Sequence, residues 1–114
     1  MSLKIERINT NLKREISKIL ATEVKDKDIQ FVTVTAVETT NDLSVAKVYV
    51  TVLNDEKKDK IMQALLRAKG FIRSQLFERV ELRKIPDLRF VYDESIAQGM
   101  KIEKMIEDLE ENDV

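Results

Sequence analysis

The sequence predicts an α+β two-layer domain, in which helices pack against one face of a small sheet. Three observations support this fold class. The N-terminal segment carries a helical apolar stripe, two later runs alternate polar and apolar residues with period two, and further helical runs precede a third short strand. At 114 residues, the chain is long enough to bury one modest core.

The first helix is predicted over residues 3–22. Its apolar residues recur at spacings of 3, 4, 4 and 3, which places them on one face: Ile5, Ile8, Leu12, Ile16 and Ile19. An antiparallel hairpin follows, formed by "FVTVTAVETT" and "LSVAKVYVTVL" around "ND". We expect one face of this hairpin to be buried, with Val32, Val34, Ala36, Ala46, Val48, Val50 and Val52, and the other to be solvated.

Two helical pieces are predicted next, from Glu56 to Lys69 and from Gly70 to Val80. A straight helix would point Lys69 into an apolar stripe, and burying an unpaired ammonium is costly. We therefore expect a bend or break at Ala68-Lys69-Gly70. Lys69 would then lie at an exposed corner with Arg67 and Arg73, beside the free N–H groups of a new helix, which suits an anion.

The alternative is a continuous helix in which Gly70 lets a neighbouring helix approach closely. The basic residues of the corner would then be ordinary solvated surface.

The rest of the chain completes the order helix-strand-strand-helix-helix-strand. Pro86 interrupts the second helical region, and "LRFVY" is predicted as the third strand. An extra C-terminal helix is predicted in "DESIAQGMKIEKMIEDLEE", with Ser95 and Gln98 spaced as a capping box.

The composition excludes several classes of function. The chain has no cysteine and no histidine, so disulfides, thiolate nucleophiles, Cys/His zinc sites and imidazole catalysis are all ruled out. We expect no enzyme activity, no catalytic residue, no bound metal and no cofactor. The N-terminus has no apolar run of signal-peptide or membrane-span length, so we expect a soluble cytoplasmic protein without membrane association.

The net charge of −1 conceals an asymmetry along the chain. Residues 1–92 carry 18 Lys and Arg against 13 Asp and Glu, or +5, whereas residues 93–114 carry 2 against 8, or −6. This division predicts a basic domain over 1–92 and an acidic C-terminal helix or tail over 93–114.

The predicted order resembles that of a type II KH domain, an RNA-binding fold with a phosphate-clamping GXXG loop between two helices. Here no GXXG exists, and Ala-x-Gly stands at the corresponding corner. With this arrangement, the chain resembles the ribosome-binding factor A family through four stretches, "LKREISKILATEVKD", "LSVAKVYVTVL", "LLRAKGFIRSQL" and "IPDLRFVYDESIAQGMKIEKMI".

The resemblance implies a monomeric, non-enzymatic assembly factor that binds the immature small ribosomal subunit and its rRNA and promotes late rRNA folding and processing. Other assembly factors, GTPases among them, are further partners that the family implies. Ala68, Lys69 and Gly70 match the family's interhelical kink.

A basic line on the first helix supports RNA contact. Its members are spaced 3, 4, 3 and 4, fall within about 80° on a helical wheel, and can follow phosphates: Lys4, Arg7, Asn11, Arg14 and Lys18. A second set comprises Arg67, Ala68, Lys69, Gly70 and Arg73 at the corner, and a third comprises Arg83 and Lys84. The alternatives are a solubilising helix face for the first set and helix-dipole stabilisation for the third.

A protein–protein adapter that docks through its charged helices is the alternative function. The response to salt separates the two, because phosphate binding weakens steeply with salt concentration and docking through an apolar patch does not.

Overall fold

The computed structural model describes residues 3–53 and 55–95, which form two helices packed on a three-stranded sheet. In chain order the elements are helix α1 (Leu3–Thr22), strand β1 (Thr33–Thr39), strand β2 (Val45–Thr51), helix α2 (Lys58–Arg79) and strand β3 (Asp87–Tyr92). Short 3-10 helices at Ile29–Phe31 and Asp55–Lys57 precede β1 and α2. The α+β class is confirmed.

The core lies between the helices and the inner face of the sheet. The predicted stripe of α1 is confirmed, with Leu12, Ile16 and Ile19 fully buried. From β2, the buried side chains are Ala46, Val48 and Val50. Burying large apolar side chains is the main source of stability in such a domain, at roughly 1.5–3 kcal/mol each.

The sheet has the order β1-β2-β3, so β1 and β3 are its edge strands. β1 and β2 form the predicted antiparallel hairpin, and β3 joins β2 in parallel, with Val45 opposite Asp87. The register shifts between Val34 and Ala36. An extra residue at this point reverses the alternation, so Val37 is buried in place of the predicted Ala36.

The predicted division at Gly70 is wrong, because α2 is one continuous helix of 22 residues. Gly70 has no positive φ, so its backbone continues the helix. The observed order therefore has one helix fewer than predicted. The apolar stripe crosses the glycine without interruption, at Ile61, Leu65, Ala68, Ile72 and Leu76. Lys69 is tolerated in the helix because its ammonium is paired: its Nζ lies 2.6 Å from Asp87 Oδ1.

The alternative role for Gly70 is not observed either. A Cβ added at this position would meet nothing within 4 Å, so no other part of the described fold approaches the glycine closely. The predicted C-terminal helix covers residues 93–111, and all of it beyond Ser95, including Gln98 of the capping box, lies outside the described residues.

Candidate nucleic-acid interface

The exposed side of α1 carries the predicted basic line, which we call the α1 stripe: Lys4, Arg7, Asn11, Arg14 and Lys18, all exposed. The opposite side of α1 is buried against the sheet and α2, so the helix has a single orientation that turns the stripe outward. The five side chains therefore form a continuous line along an accessible surface.

The α1 stripe is partly organised by its own side chains. Arg14 donates a hydrogen bond to Asn11 Oδ1, and its Nε lies 3.5 Å from Glu15 Oε1. Lys18 Nζ lies 3.8 Å from the same oxygen. Arg7 has no hydrogen bond or ion pair within residues 3–53 and 55–95, so its guanidinium is available to a ligand.

The C-terminal end of α2 is fixed against α1 by Arg79. Its guanidinium lies 3.5 Å from Glu15 Oε2 and 3.3 Å from Glu23 Oε1. Arg79 is also the basic residue in the last turn of α2, where a cation is favoured by the helix dipole. This residue therefore positions the two helices.

The predicted basic corner has a different structure from the one expected. Arg67 and Gly70 are exposed, and Ala68 packs against the core. Lys69 is engaged by Asp87, and its side chain is only 26 % exposed. Arg73 donates a hydrogen bond from Nη2 to the carbonyl oxygen of Ile85 at 2.8 Å. Two of the three basic residues at this corner thus hold α2 to the chain that leads into β3.

The electrostatic effect of this contact is clear at Asp87. The hydrogen bond from Lys69 is the largest influence and lowers the pKa of the Asp87 carboxyl, and the charges of Lys69, Arg89 and Arg73 act in the same direction. Partial burial opposes this shift. Asp87 is therefore an anion among several cations at neutral pH.

Arg83 and Lys84 lie outside α2, because the helix ends at Arg79 and Val80 is already extended. Both side chains are exposed. The helix-dipole explanation consequently applies to Arg79 and leaves these two cations without a structural role in α2.

The connection between α2 and β3 lies near members of all three predicted sets. At its beginning, Val80, Glu81 and Leu82 line a cleft of about 200 Å³ with Asn11 of the α1 stripe. At its end, Ile85 and Asp87 contact Arg73 and Lys69. Arg83 and Lys84 lie between these two points. One short segment therefore runs from a cleft shared with α1 to the contacts with Arg73 and Lys69.

Other kinds of site find no support in the described part of the chain. Residues 3–53 and 55–95 contain no group of three or more acidic, cysteine or histidine side chains placed to hold a metal ion. Among the same residues, no helix is both long and apolar enough to cross a membrane. The residues that sequence reasoning missed are Asp87 and Arg89, since only the fold brings the start of β3 beside Lys69.

Comparison with known proteins identifies the family. The family model for ribosome-binding factor A matches residues 4–106. The ribosome-binding factor A of Macrococcus caseolyticus is 53 % identical over 110 residues, which cover 96 % of both chains. The crystal structure of ribosome-binding factor A from Thermus thermophilus matches with a TM-score of 0.70 and 30 % identity, over 77 % of this chain and 94 % of that one.

A further similar structure is a homology model of the Thermus thermophilus factor, fitted into a cryo-EM map of a complex of that factor with the 30S subunit. It matches with a TM-score of 0.62 and 31 % identity, over 73 % of this chain and 88 % of that one. Because the family model and the relatives span nearly the whole sequence, the chain belongs to the ribosome-binding factor A family.

Proposed function

We propose that this protein binds the immature small ribosomal subunit by contacting rRNA phosphates with one basic surface. That surface comprises the α1 stripe, Arg83 and Lys84, and the exposed part of α2 around Arg67 and Gly70. The observation that carries the proposal is the connection between α2 and β3, which shares a cleft with Asn11 of the α1 stripe at one end and contacts Lys69 and Arg73 at the other. The 30S complex of the Thermus thermophilus factor supports the same choice of partner.

The mode of action follows from the chemistry available. Cations spaced along a helix neutralise successive phosphates and release condensed counterions, which favours binding without any reaction. The protein acts by occupancy: it stabilises one late conformation of the rRNA, and processing follows from that conformation. It works as a cytoplasmic monomer without a cofactor, and other assembly factors, including GTPases, act on the same particle.

The fold also fits a KH-like type II domain over residues 1–92, followed by an acidic tail over 93–114. Two features support this classification: the order helix-strand-strand-helix-strand, and a third strand parallel to the second. In this form of the fold, a single helix that contains Ala68, Lys69 and Gly70 replaces the two helices around a GXXG loop.

Sedimentation of a cell extract through a sucrose gradient tests the proposed function. We expect the protein to travel with free small subunits at low salt and to be released as salt is raised, because phosphate binding weakens steeply with salt concentration. Migration with no ribosomal particle at low salt would overturn the proposal.

The adapter function is the second candidate, and one observation favours it. Leu66 and Phe77 on α2 are 66 % and 65 % exposed, although they are large and apolar. An adapter docked through these side chains would stay on its partner as salt is raised, so the same gradients distinguish the two functions.

A further inference from the structure

Asp87 lies at the start of the edge strand β3, within reach of cations from both layers of the domain. Its Oδ1 is 2.6 Å from Lys69 Nζ on α2, and its Oδ2 is 3.8 Å from Arg89 Nε on β3. The side chain of Asp87 is 40 % exposed and that of Arg89 is 63 % exposed. The cluster is thus open to a ligand from solvent.

Arg73 adds a third cation to this cluster. Its Nη2 is held by the carbonyl of Ile85, and its Nε is buried without a hydrogen-bond partner among the described residues. The guanidinium is therefore fixed in position but not fully satisfied. Lys69 and Arg89 thus contact the Asp87 carboxylate, and the charge of Arg73 also acts on it, so three cations outnumber one anion in this cluster.

A carboxylate and a phosphate present the same kind of acceptor to Lys and Arg, namely anionic oxygens that accept charge-assisted hydrogen bonds. We propose that Lys69, Arg73 and Arg89 form a binding site for an RNA phosphate, which the Asp87 carboxylate occupies in the free protein. This inference rests on the proposed function, since it names Asp87 as the residue that regulates the same surface and adds Arg89 to it.

The consequence is discrimination between RNAs. An rRNA whose other phosphates are already held by the α1 stripe delivers one phosphate to the cluster at high local concentration and displaces Asp87 from Lys69. An unrelated RNA lacks that fit, so it must compete with an intramolecular carboxylate. Asp87 therefore lowers the affinity for unrelated RNA more than the affinity for the small subunit.

A phosphate is favoured over an acidic peptide as the ligand because of what adjoins the cluster. The segment that ends at Asp87 carries the exposed Arg83 and Lys84, and it begins at the cleft shared with Asn11 of the α1 stripe. A nucleic acid carries an anion at every nucleotide, so one strand can offer phosphates both to the cluster and to these further cations.

The test measures binding of the full-length protein to an oligouridine RNA and to small subunits over a series of salt concentrations. Asp87→Asn removes the internal anion, so oligouridine should bind more tightly, with a log–log salt slope steeper by about 0.7, the value for one phosphate neutralised on a single strand. Lys69→Met, introduced into the Asp87→Asn protein, should abolish the gain in oligouridine binding, and Lys69→Met alone should weaken binding to small subunits.

Asp28→Asn is the matched control. Asp28 also lies close to two lysines, 3.4 Å from Lys57 Nζ and 3.8 Å from Lys60 Nζ, and its substitution changes the net charge by the same amount. An equal gain with Asp28→Asn would overturn the proposal, because net charge alone would then explain it. Melting curves confirm that each variant is folded, and Asp87→Ser replaces Asp87→Asn if the latter is unfolded.

Failure of this inference is distinguishable from failure of the proposed function. If wild-type protein binds small subunits but Asp87→Asn gains nothing on oligouridine, the phosphate site is wrong and the function stands. If wild-type protein binds no small subunits, the function is wrong, and the oligouridine measurements still decide whether Asp87 closes an anion site. Absence of oligouridine binding by both proteins overturns the inference.

Discussion

Gly70 is a residue for which the fold and the proposed function have different requirements. It lies in the middle of a helix, has no positive φ, and has open space where a Cβ would stand. Gly70→Ala should therefore raise the free energy of unfolding by up to about 1 kcal/mol, since alanine is the better helix former. Urea unfolding curves measure this change.

The same substitution should weaken binding to small subunits, because a glycine that the fold does not need permits close approach of a ligand to the helix backbone. Gln63→Ala, at another exposed position of α2, is the control and should leave this affinity unchanged. A Gly70→Ala protein that is less stable than wild type would contradict the continuous helix. Unchanged affinity would remove Gly70 from the proposed surface.

Asp42 organises the turn of the hairpin and gives stability a defined dependence on pH. It accepts hydrogen bonds from Thr40 Oγ1 and Ser44 Oγ, both at 2.7 Å, and from the Ser44 backbone N–H at 3.1 Å. The Thr40 bond is the largest cause that lowers the pKa of Asp42 from 3.8 to about 2. These bonds hold the turn even though Leu43 has a φ of 61°, a conformation that leucine rarely adopts.

A depressed pKa in the folded state means that the carboxylate stabilises the fold above pH 3.8, and that this contribution is lost as the pH falls towards 2. Asp42→Asn should therefore be less stable than wild type at neutral pH, and the difference should shrink between about pH 4 and 2. Thermal unfolding across this range measures it, with Asn41→Ala as a control whose effect does not titrate. A difference that stays constant down to pH 2 would exclude this role.

The helix α1 is the element on which the proposed RNA contact depends most directly. Replacing Arg7 and Arg14 by glutamine should weaken binding to small subunits and reduce the log–log salt slope by about 0.7–0.9 for each phosphate that is no longer neutralised. The melting temperature should hardly change, because Arg14 is 58 % exposed and exposed ion pairs contribute little.

Lys13 and Lys27 provide a charge-matched control for this pair. Both are exposed, and Lys13 lies outside the α1 stripe, about 100° around the helix from Arg14. Their double substitution should leave the salt slope nearly unchanged. If the Arg7 and Arg14 double variant binds with wild-type affinity and wild-type slope, the α1 stripe is a solvated face.

The elements differ in how far their sequences predict them. The stripe of α1 and the alternation of β2 follow from local periodicity, so both were predictable. The division of α2 at Gly70 was wrong because Lys69 was assumed to be unpaired, and its partner Asp87 is 18 residues away in sequence. The bulge at the beginning of β1 could not be predicted from the sequence either, since nothing in "TVTAV" indicates an extra residue.

The same limit applies to the candidate site. Local spacing was enough to predict the α1 stripe, because its members belong to one helix. The cluster around Asp87 was not predictable, because it requires the packing of α2 against the start of β3. At the scale of the whole molecule, the connection from Val80 to Asp87 begins at a cleft shared with Asn11 of the α1 stripe and ends in that cluster, a relation that no single element reveals.

The distribution of charge over the whole chain leads to a last prediction. Residues 93–114 carry a net charge of −6 beside a body of +5, so they should repel any RNA that approaches the basic surface. A truncation after Met105 removes five acidic residues and no basic one: Glu107, Asp108, Glu110, Glu111 and Asp113. The shortened protein should bind oligouridine more tightly at low salt, and the gain should fade as salt screens the charges.

Charge and chain length are separated by a second variant, a full-length protein in which the same five residues are replaced by their amides. If electrostatic repulsion is the cause, this variant should reproduce the tighter binding of the truncated protein. Affinity for small subunits should rise less in both variants, because a well-fitted partner already overcomes the repulsion. Unchanged affinity for oligouridine in both would show that the acidic residues exert no electrostatic effect on binding. A gain confined to the truncation would assign the effect to the presence of the segment itself, independent of its charge.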